Sequence, residues 1–507
     1  MKFSISKIGL FVILLGVIFR VAQYLFNKSL WLDEAFISLN IIDKSYSQLF
    51  GALDYKQGAP VGFLIVEKFL VQLFGDSEYV FRFFPLVCGI VSLFLFYKLA
   101  KGFLDSKSSL LVLTLFAVME PLIYFSSEVK QYSSDVTVSI ILFMLAMYMQ
   151  RETLNISTAL ICGLIGAVVM WFSHPAIFII LGISCVLMLL HTQSKEWKKL
   201  DMLFISTGIW LLNLFFLYSF NFSMLKKSGI EYFGENNFMP IPPTFNWLYE
   251  RFLDVFNTMQ LRFLEIPQIL FIIGAVYLYL RKRGLFFLFL SSIPFALISS
   301  GFHVYPYVHR LLLFLVPVYL LFVGAGFEKI ADISRRFKFS TIAILAILLT
   351  YNPVLKAFDH LKHPHTSQEI RPVLKHIKEH EKVGDIIYVY HSAQYAFKYY
   401  AKKLGFNNEF NVDPSEYASD PFLNRLYVKD GKSTIVLGII SVYDKEAYKR
   451  DLAKLKGNKR VWFLFSHIWP DERETFMRYL DSIGRKIDSV EHPGYYYGSS
   501  VYLYDLN

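Results

Sequence analysis

Two adjacent carboxylates, Asp33 and Glu34, follow the first long apolar segment of the chain in the stretch SLWLDEAFISLNI. A carboxylate beside a membrane span is costly to bury unless a function requires it. One such group can act as a general base that takes the proton of an attacking hydroxyl. The pair could instead begin a helix after Leu30-Trp31-Leu32, as an N-cap and a first-turn acid. These residues alone leave both interpretations open.

Other polar residues lie in the loops between apolar segments or near the ends of those segments, and they could share a cavity with this pair. They are Lys56, Arg82, Glu120, Lys130, Tyr132, His174, His309 and Arg310. Arginine and lysine hold phosphate groups, arginine through paired hydrogen bonds. One carboxylate and a few cations would suit transfer of a sugar from a lipid phosphate, because that leaving group needs no strong acid. Glycoside hydrolysis normally requires two carboxyl groups.

Each of these groups also has a structural interpretation. The spacing of Glu128, Gln131, Tyr132 and Asp135 places them on one helix face, which could be only a hydrated boundary. His309-Arg310 could anchor a span at lipid phosphates, and Arg82 could anchor the end of its own span. Tyr305 and Tyr307 suit an aromatic belt. His174, His303 and His309 lack the tight spacing of metal ligands, so we expect no metal, although a divalent ion is possible.

The composition indicates which elements position these residues. The chain has 507 residues, of which 55% are hydrophobic and 18% charged, with a mean hydropathy of +0.42. A soluble domain usually carries about 25% charged residues, so an integral membrane protein is predicted. The net charge of +10 fits basic cytoplasmic loops, and no nucleic acid partner is expected. The three cysteines lie in apolar runs, which predicts neither a disulfide nor a cysteine metal site.

Apolar runs of nearly the length that crosses a bilayer predict about eleven transmembrane helices. They lie near residues 8–26, 80–99, 108–126, 135–150, 156–173, 175–191, 201–220, 264–280, 285–302, 311–328 and 339–355. Lysine and arginine concentrate in alternate short loops, which places those loops and the N-terminus in the cytoplasm. An odd number of spans then leaves the C-terminus outside, together with the long loops that carry the polar residues.

Beyond the last span, strands alternate with amphipathic helices. Segments such as GDIIYVYHS, STIVLGIISV and VWFLFSHI are predicted strands, and residues 486–505 a hairpin. The predicted architecture is therefore a transmembrane domain, residues 1–356, and an extracytoplasmic soluble α/β domain, residues 357–507. No glycine-rich phosphate loop is present in this second part, so no nucleotide is assigned to it. Its expected role is to cover the outer face of the membrane domain.

Three stretches resemble a known family. Their order and position are similar to those of motifs in polytopic GT-C glycosyltransferases. The stretches are WLDEAFISLNI with the following GAPVGFLIVEKFLVQLFGDSEYVFRFFPL, then PLIYFSSEVKQYSSD, and last YPYVHRLLLFLVPVYLL. The likeness is to the branch of the dolichyl-phosphate-mannose protein mannosyltransferases and the lipid A aminoarabinose transferases. It implies a sugar donor linked to polyprenyl phosphate, with Asp33 as the base and Glu34 in support. It also implies phosphate contacts, for which Arg310 is the first candidate, followed by Lys130, Tyr132 and Arg82.

The function predicted from the sequence is an inverting glycosyltransferase in a bacterial inner membrane. It would move a sugar to a protein, lipid or glycan acceptor on the outer face. A transporter or flippase of lipid-linked sugars is one rival, but it should place polar groups on both leaflets or at the midplane. A non-enzymatic envelope assembly protein is the other, and it would not need a buried acidic pair.

Overall fold

The computed structural model describes residues 6–217, 219, 234–261, 265–334, 339–406, 427–430, 432–439, 445–494 and 497–507. Within them the chain forms two compact units. The first unit comprises residues 1–26, 45–52 and 58–364, and the second comprises residues 27–44, 53–57 and 365–507. The segment that carries Asp33 and Glu34 therefore packs in the same unit as the C-terminal part of the chain.

The helices of the first unit come from both sides of that segment. They are α1 (Lys7–Leu25), α3 (Val61–Phe74), α4 (Glu78–Phe103), α5 (Ser106–Val118), α6 (Glu120–Tyr124), α7 (Tyr132–Arg151), α8 (Ile156–Met170), α9 (Ala176–Gln193), α10 (Trp197–Leu217), α11 (Phe245–Thr258), α12 (Ile266–Arg281), α13 (Arg283–Leu290), α14 (Ser292–Gly301), α15 (Val316–Ser334) and α16 (Phe339–Lys362). The helix α2 (Leu32–Asp43) belongs to the second unit.

Eight helical segments in the described residues are long and apolar enough to cross a membrane, and a bent pair makes a ninth. The shorter apolar helices α8 and α12 fall at the two remaining predicted positions. The prediction of a polytopic helical membrane protein is thus confirmed, with eight or nine helices of spanning length in the described residues. Many large apolar side chains on these helices are exposed, as expected for surfaces that face lipid.

The bent pair α5–α6 has an identifiable cause. Met119 is extended between the two helices, and Pro121 near the start of α6 cannot donate a backbone hydrogen bond. The two parts meet at 57°. The buried guanidinium of Arg20 donates to the carbonyl oxygens of Phe116 and Ala117 at 3.3 and 3.1 Å. A cation at the end of α5 satisfies carbonyls that the break leaves without helical partners.

The second unit contains an α/β sheet. Its C-terminal helices are α17 (Ile370–His380), α18 (Gln394–Ala401), α19 (Lys445–Ala453) and α20 (Pro470–Ile483), and its strands are β1 (Asp385–Val389), β2 (Tyr427–Asp430), β3 (Ser433–Leu437), β4 (Val461–Ser466), β5 (Arg485–His492) and β6 (Ser499–Asp505). The strand order is β2-β3-β1-β4-β6-β5. The strands β3 and β4 lie parallel to β1 on its two sides, and β5 and β6 form the predicted hairpin. The α/β prediction is confirmed, whereas β2 was not predicted.

Candidate active site

The carboxylate pair lies in the first turn of α2. The side chain of Asp33 is 2% exposed, and Glu34 is fully buried. An oxygen of Glu34 accepts a hydrogen bond from the backbone N–H of Trp31 at 3.4 Å, which satisfies one donor of the helix N-terminus. The capping interpretation therefore applies to Glu34. The helix N-terminus also favours a negative charge at Asp33.

Residues 27–32, which we call the strap, tie this helix terminus to the C-terminal part of the chain. The backbone N–H of Ser29 donates to Glu369 at 3.0 Å, and that of Leu30 donates to the Tyr400 hydroxyl at 2.8 Å. The backbone N–H of Leu32 donates to Oε1 of Gln368 at 3.2 Å. These bonds immobilise the backbone directly before Asp33.

Aromatic packing fixes the rest of α2. Phe36 stacks on Tyr55 and meets Tyr395 of α18 edge-on, with ring centroids 5.3 and 4.5 Å apart. Asn40 exchanges hydrogen bonds with the backbone of Asp54, and so holds the loop of residues 53–57 to the helix. Lys56 lies in this loop with φ of 53°, a left-handed conformation that is uncommon outside glycine. Asp33, Glu34 and Lys56 thus belong to the same unit.

In the first unit, Arg310 lies near Tyr132. Arg310 belongs to a 3₁₀ helix, His309–Leu315, and its guanidinium carbon is 5.9 Å from the centre of the Tyr132 ring. Tyr132 is the buried first residue of α7, and Phe125 packs edge-on against it at 4.9 Å. This contact joins two of the predicted phosphate-binding residues, although they are 178 positions apart in the sequence. His309 lies beside Arg310 but is exposed, with φ of 44°.

Two further predicted residues of this unit, Lys130 and Arg82, are buried. Lys130 lies just before α7, and its backbone N–H donates to the carbonyl of Glu128 at 2.7 Å. The side chains of Lys130 and Arg82 are buried, and each has a polar or electrostatic partner. Tyr132 also lines a small cavity. Arg20 lines the same cavity, and the sequence analysis did not select it because one arginine inside an apolar run gives no pairing signal.

Glu120 and His174, two further predicted substrate-binding residues, have neighbours that the structure describes. An oxygen of Glu120 lies 3.4 Å from Nε2 of His360, which the sequence analysis did not single out. Carboxylate and imidazole are also ligand types of divalent ions. Burial lowers the pKa of His174 to about 4, against a hydrogen bond with the backbone of Ala59 that favours its charged form. His174 is therefore neutral at neutral pH and offers no cation to a phosphate.

Comparison with known proteins gives a match to a family model and similarity to several solved structures. A family model described as dolichyl-phosphate-mannose-protein mannosyltransferase matches residues 57–218. Comparison with curated protein sequences gives no significant match.

Among solved structures, the chain is similar to ArnT from Cupriavidus metallidurans bound to undecaprenyl phosphate. The TM-score is 0.53 at 9% identity, over 98% of each chain. The apo state of the same protein gives a TM-score of 0.52 at 10% identity, again over 98% of each chain. The chain is also similar to the archaeal oligosaccharyltransferase AglB from Archaeoglobus fulgidus, in complex with an inhibitory peptide and a dolichol-phosphate. The TM-score is 0.49 at 10% identity, over 90% of this chain and 69% of that chain.

At such low identity the structures show a shared fold, and the family match supplies the sequence evidence. Residues 57–218 are similar to the dolichyl-phosphate-mannose-protein mannosyltransferases, and the whole chain shares the fold of ArnT; together these two similarities indicate that this multi-pass membrane protein is a glycosyltransferase.

Proposed function

We propose that this protein transfers a sugar from a polyprenyl-phosphate carrier to an acceptor hydroxyl on the outer face of a bacterial inner membrane. ArnT, whose fold it shares, has been solved with undecaprenyl phosphate bound, which supports this class of donor. The distribution of basic residues among the loops supports the orientation, with the N-terminus in the cytoplasm and the C-terminal part outside.

The observation that carries the proposal is the way Asp33 is held. It is a buried carboxylate at a helix N-terminus, and hydrogen bonds from the strap fix the backbone before it. In the proposed step Asp33 takes the proton of the acceptor hydroxyl while the acceptor oxygen bonds to the anomeric carbon. The bond from that carbon to the phosphate oxygen breaks, and the electron pair leaves with the polyprenyl phosphate. One direct displacement inverts the anomeric centre.

Arg310, with Tyr132 beside it, is the proposed contact to the donor phosphate. An arginine can make two parallel hydrogen bonds to a phosphate, and a positive charge favours the dianionic leaving group. Lys130 and Arg82 are proposed further phosphate contacts. Lys56 and His309 are further candidates for substrate binding. Glu34 supports Asp33 through the helix cap.

Replacing Asp33 tests the proposal. Asp33→Asn keeps the size of the side chain and removes the base, so we expect transfer from a lipid-linked donor to fall at least about a thousandfold. Asp43→Asn, an exposed change at the other end of α2, is the matched control and should retain most of the activity. Full activity of Asp33→Asn, with normal expression and membrane insertion, would show that Asp33 is not the base.

A further inference from the structure

The second unit contains a cluster of side chains to which the catalytic proposal gives no ligand, and we call this cluster the crevice. It consists of His391, His467, Gln368, Trp469 and Tyr497. The chain passes from β1 to β3 on one side of β1 and returns to β4 on its other side. The direction of the connections therefore reverses between β1 and β4. In α/β sheets, ligands bind outside the carboxyl ends of the strands at such a point. His391 follows β1 there, and His467 follows β4.

One polar side chain of the crevice, His391, has a buried ring nitrogen without a hydrogen-bond partner among the described residues. His391 is 7% exposed, its Nδ1 is buried, and its ring makes no hydrogen bond with any described residue. Burial, with the nearby His467, lowers the pKa of His391 to about 3, so its ring is neutral at neutral pH. A neutral imidazole offers one donor and one acceptor, which matches a hydroxyl group better than an anion.

The backbone of the crevice is strained at two residues that contact each other. His467 and Tyr497 have φ of 56° and 65°, and their rings meet edge-on at 5.6 Å. Left-handed residues other than glycine cost free energy and concentrate at functional sites. The His467 ring lies beside Gln368, whose Nε2 donates to Nδ1 of His467 at 2.5 Å.

An aromatic surface completes the crevice. Trp469 is 57% exposed, and its ring packs on Tyr497 at 4.7 Å. An exposed indole beside neutral hydrogen-bonding groups suits a sugar ring, which has an apolar face and a rim of hydroxyls. Asp471 and Glu472, in the first turn of α20 directly after Trp469, disfavour an anionic ligand.

One side chain joins this crevice to the proposed base. The Oε1 atom of Gln368 accepts from the Ser466 hydroxyl at 3.3 Å, at the end of β4. The same oxygen accepts from the backbone N–H of Leu32 at 3.2 Å, directly before Asp33. A ligand held at the carboxyl ends of β1 and β4 therefore lies next to the N-terminus of α2.

We propose that this crevice, formed by His391, His467, Gln368, Trp469 and Tyr497, binds a saccharide of the acceptor. The inference rests on the proposed function and specifies its acceptor as a carbohydrate. Trp469 stacks on the sugar ring, and the two histidines bind its hydroxyls. The saccharide belongs either to the head group of a membrane glycolipid or to a soluble glycan.

Binding to the purified full-length protein tests the inference directly. The probes are maltotriose, chitobiose and inorganic phosphate. Ligand-detected NMR measures the binding of each probe. We expect at least one saccharide to bind, phosphate not to bind, and Trp469→Ala to weaken saccharide binding about tenfold or more. Ile487→Ala, which removes an exposed apolar side chain of β5 in the same unit, is the matched control and should bind as the wild type does. Binding that does not depend on Trp469, or binding of phosphate alone, would overturn the inference.

A second arm separates this inference from the proposed function. Asp33→Asn should lose transfer and keep saccharide binding, whereas Trp469→Ala should raise the acceptor KM and leave the donor KM unchanged. Comparing a glycolipid in liposomes with a soluble oligosaccharide as acceptor identifies the source of the saccharide. If no saccharide binds while Asp33→Asn still abolishes transfer, the crevice assignment is wrong and the proposed reaction stands.

Discussion

At the scale of single residues, the two adjacent acids have different surroundings. Glu34 accepts a hydrogen bond from the backbone of Trp31, which is a capping contact. Asp33 follows a backbone that three hydrogen bonds hold in place, and it is the proposed base. We therefore expect Glu34→Gln, which keeps an acceptor oxygen for the cap, to lose far less activity than Asp33→Asn.

Arg310 gives the first prediction about the donor. Arg310→Ala should raise the donor KM at least about tenfold and leave the acceptor KM unchanged, because the proposed contact is to the donor phosphate. Arg283→Ala, an exposed arginine next to Tyr279, is the matched control. The measurement is a pair of steady-state titrations. Equal effects on the donor and acceptor curves would contradict the assignment.

Glu120 and His360 allow a test for metal dependence. The proposed chemistry relies on arginine and lysine at the phosphate, so transfer should survive treatment with EDTA. The measurement is activity after chelation and again after addition of Zn²⁺ or Mn²⁺. Activity that is lost with EDTA and restored by an ion would contradict this expectation. In that case Glu120→Gln and His360→Gln should each weaken the restoration.

At the scale of elements, close helix contacts position the chemistry. Arg20 joins α1 to the end of α5 through hydrogen bonds. It thereby stabilises the break between α5 and α6, and Glu120 is the first residue of α6. Elsewhere α12 and α15 approach closely through two glycines. A side-chain carbon at Gly274 would lie 2.0 Å from the carbonyl oxygen of Phe322, and one at Gly326 would lie 2.0 Å from that of Leu270. Small residues commonly allow such approach between membrane helices.

This contact predicts the effect of adding a methyl group. Gly326→Ala should lower the thermal stability of the detergent-solubilised protein by several degrees, because backbone must move to admit the new carbon. Gly208→Ala is the matched control, since nothing lies within 4 Å of a side-chain carbon at that helical position. It should leave the stability unchanged or raise it slightly. Equal losses in the two variants would contradict the packing argument.

At the scale of the whole molecule, the two units divide the predicted residues. The membrane unit holds the candidate phosphate ligands Arg310, Lys130 and Arg82, and the α/β unit holds the candidate base Asp33. The strap has its hydrogen-bond partners Gln368, Glu369 and Tyr400 in the C-terminal part of the chain. The C-terminal part therefore supplies the groups that hold the backbone directly before Asp33.

The buried His391 makes the stability of the α/β unit depend on pH. Its folded pKa of about 3 lies below the ordinary value of 6.5, so the unfolded chain binds more protons between these values. The contribution of neutral His391 to the free energy of unfolding is complete above about pH 6.5. It falls by about 1.4 kcal/mol for each pH unit below that value. When the pH is lowered from 6.5 to 5, the His391→Gln variant should therefore lose less stability than the wild type does. The measurement is thermal unfolding at each pH. Parallel pH profiles would contradict this account.

The sequence by itself determined the elements and the class of chemistry. The length of an apolar run, the charge of a short loop and the alternation of a strand are local properties, so the spans and the α/β sheet could be predicted. The short motifs around Asp33 and Arg310 indicated the family for the same reason. These motifs carried no information on which distant residues contact and position Asp33 and Arg310.

Only the tertiary structure decided how those elements are grouped. It placed Asp33 with the C-terminal sheet through contacts such as Ser29 to Glu369, which span 340 positions of the chain. It also showed the role of Arg20 at a helix break and the meeting of His391, His467 and Gln368. No periodicity or spacing encodes such contacts, because they arise only when separate elements pack against one another.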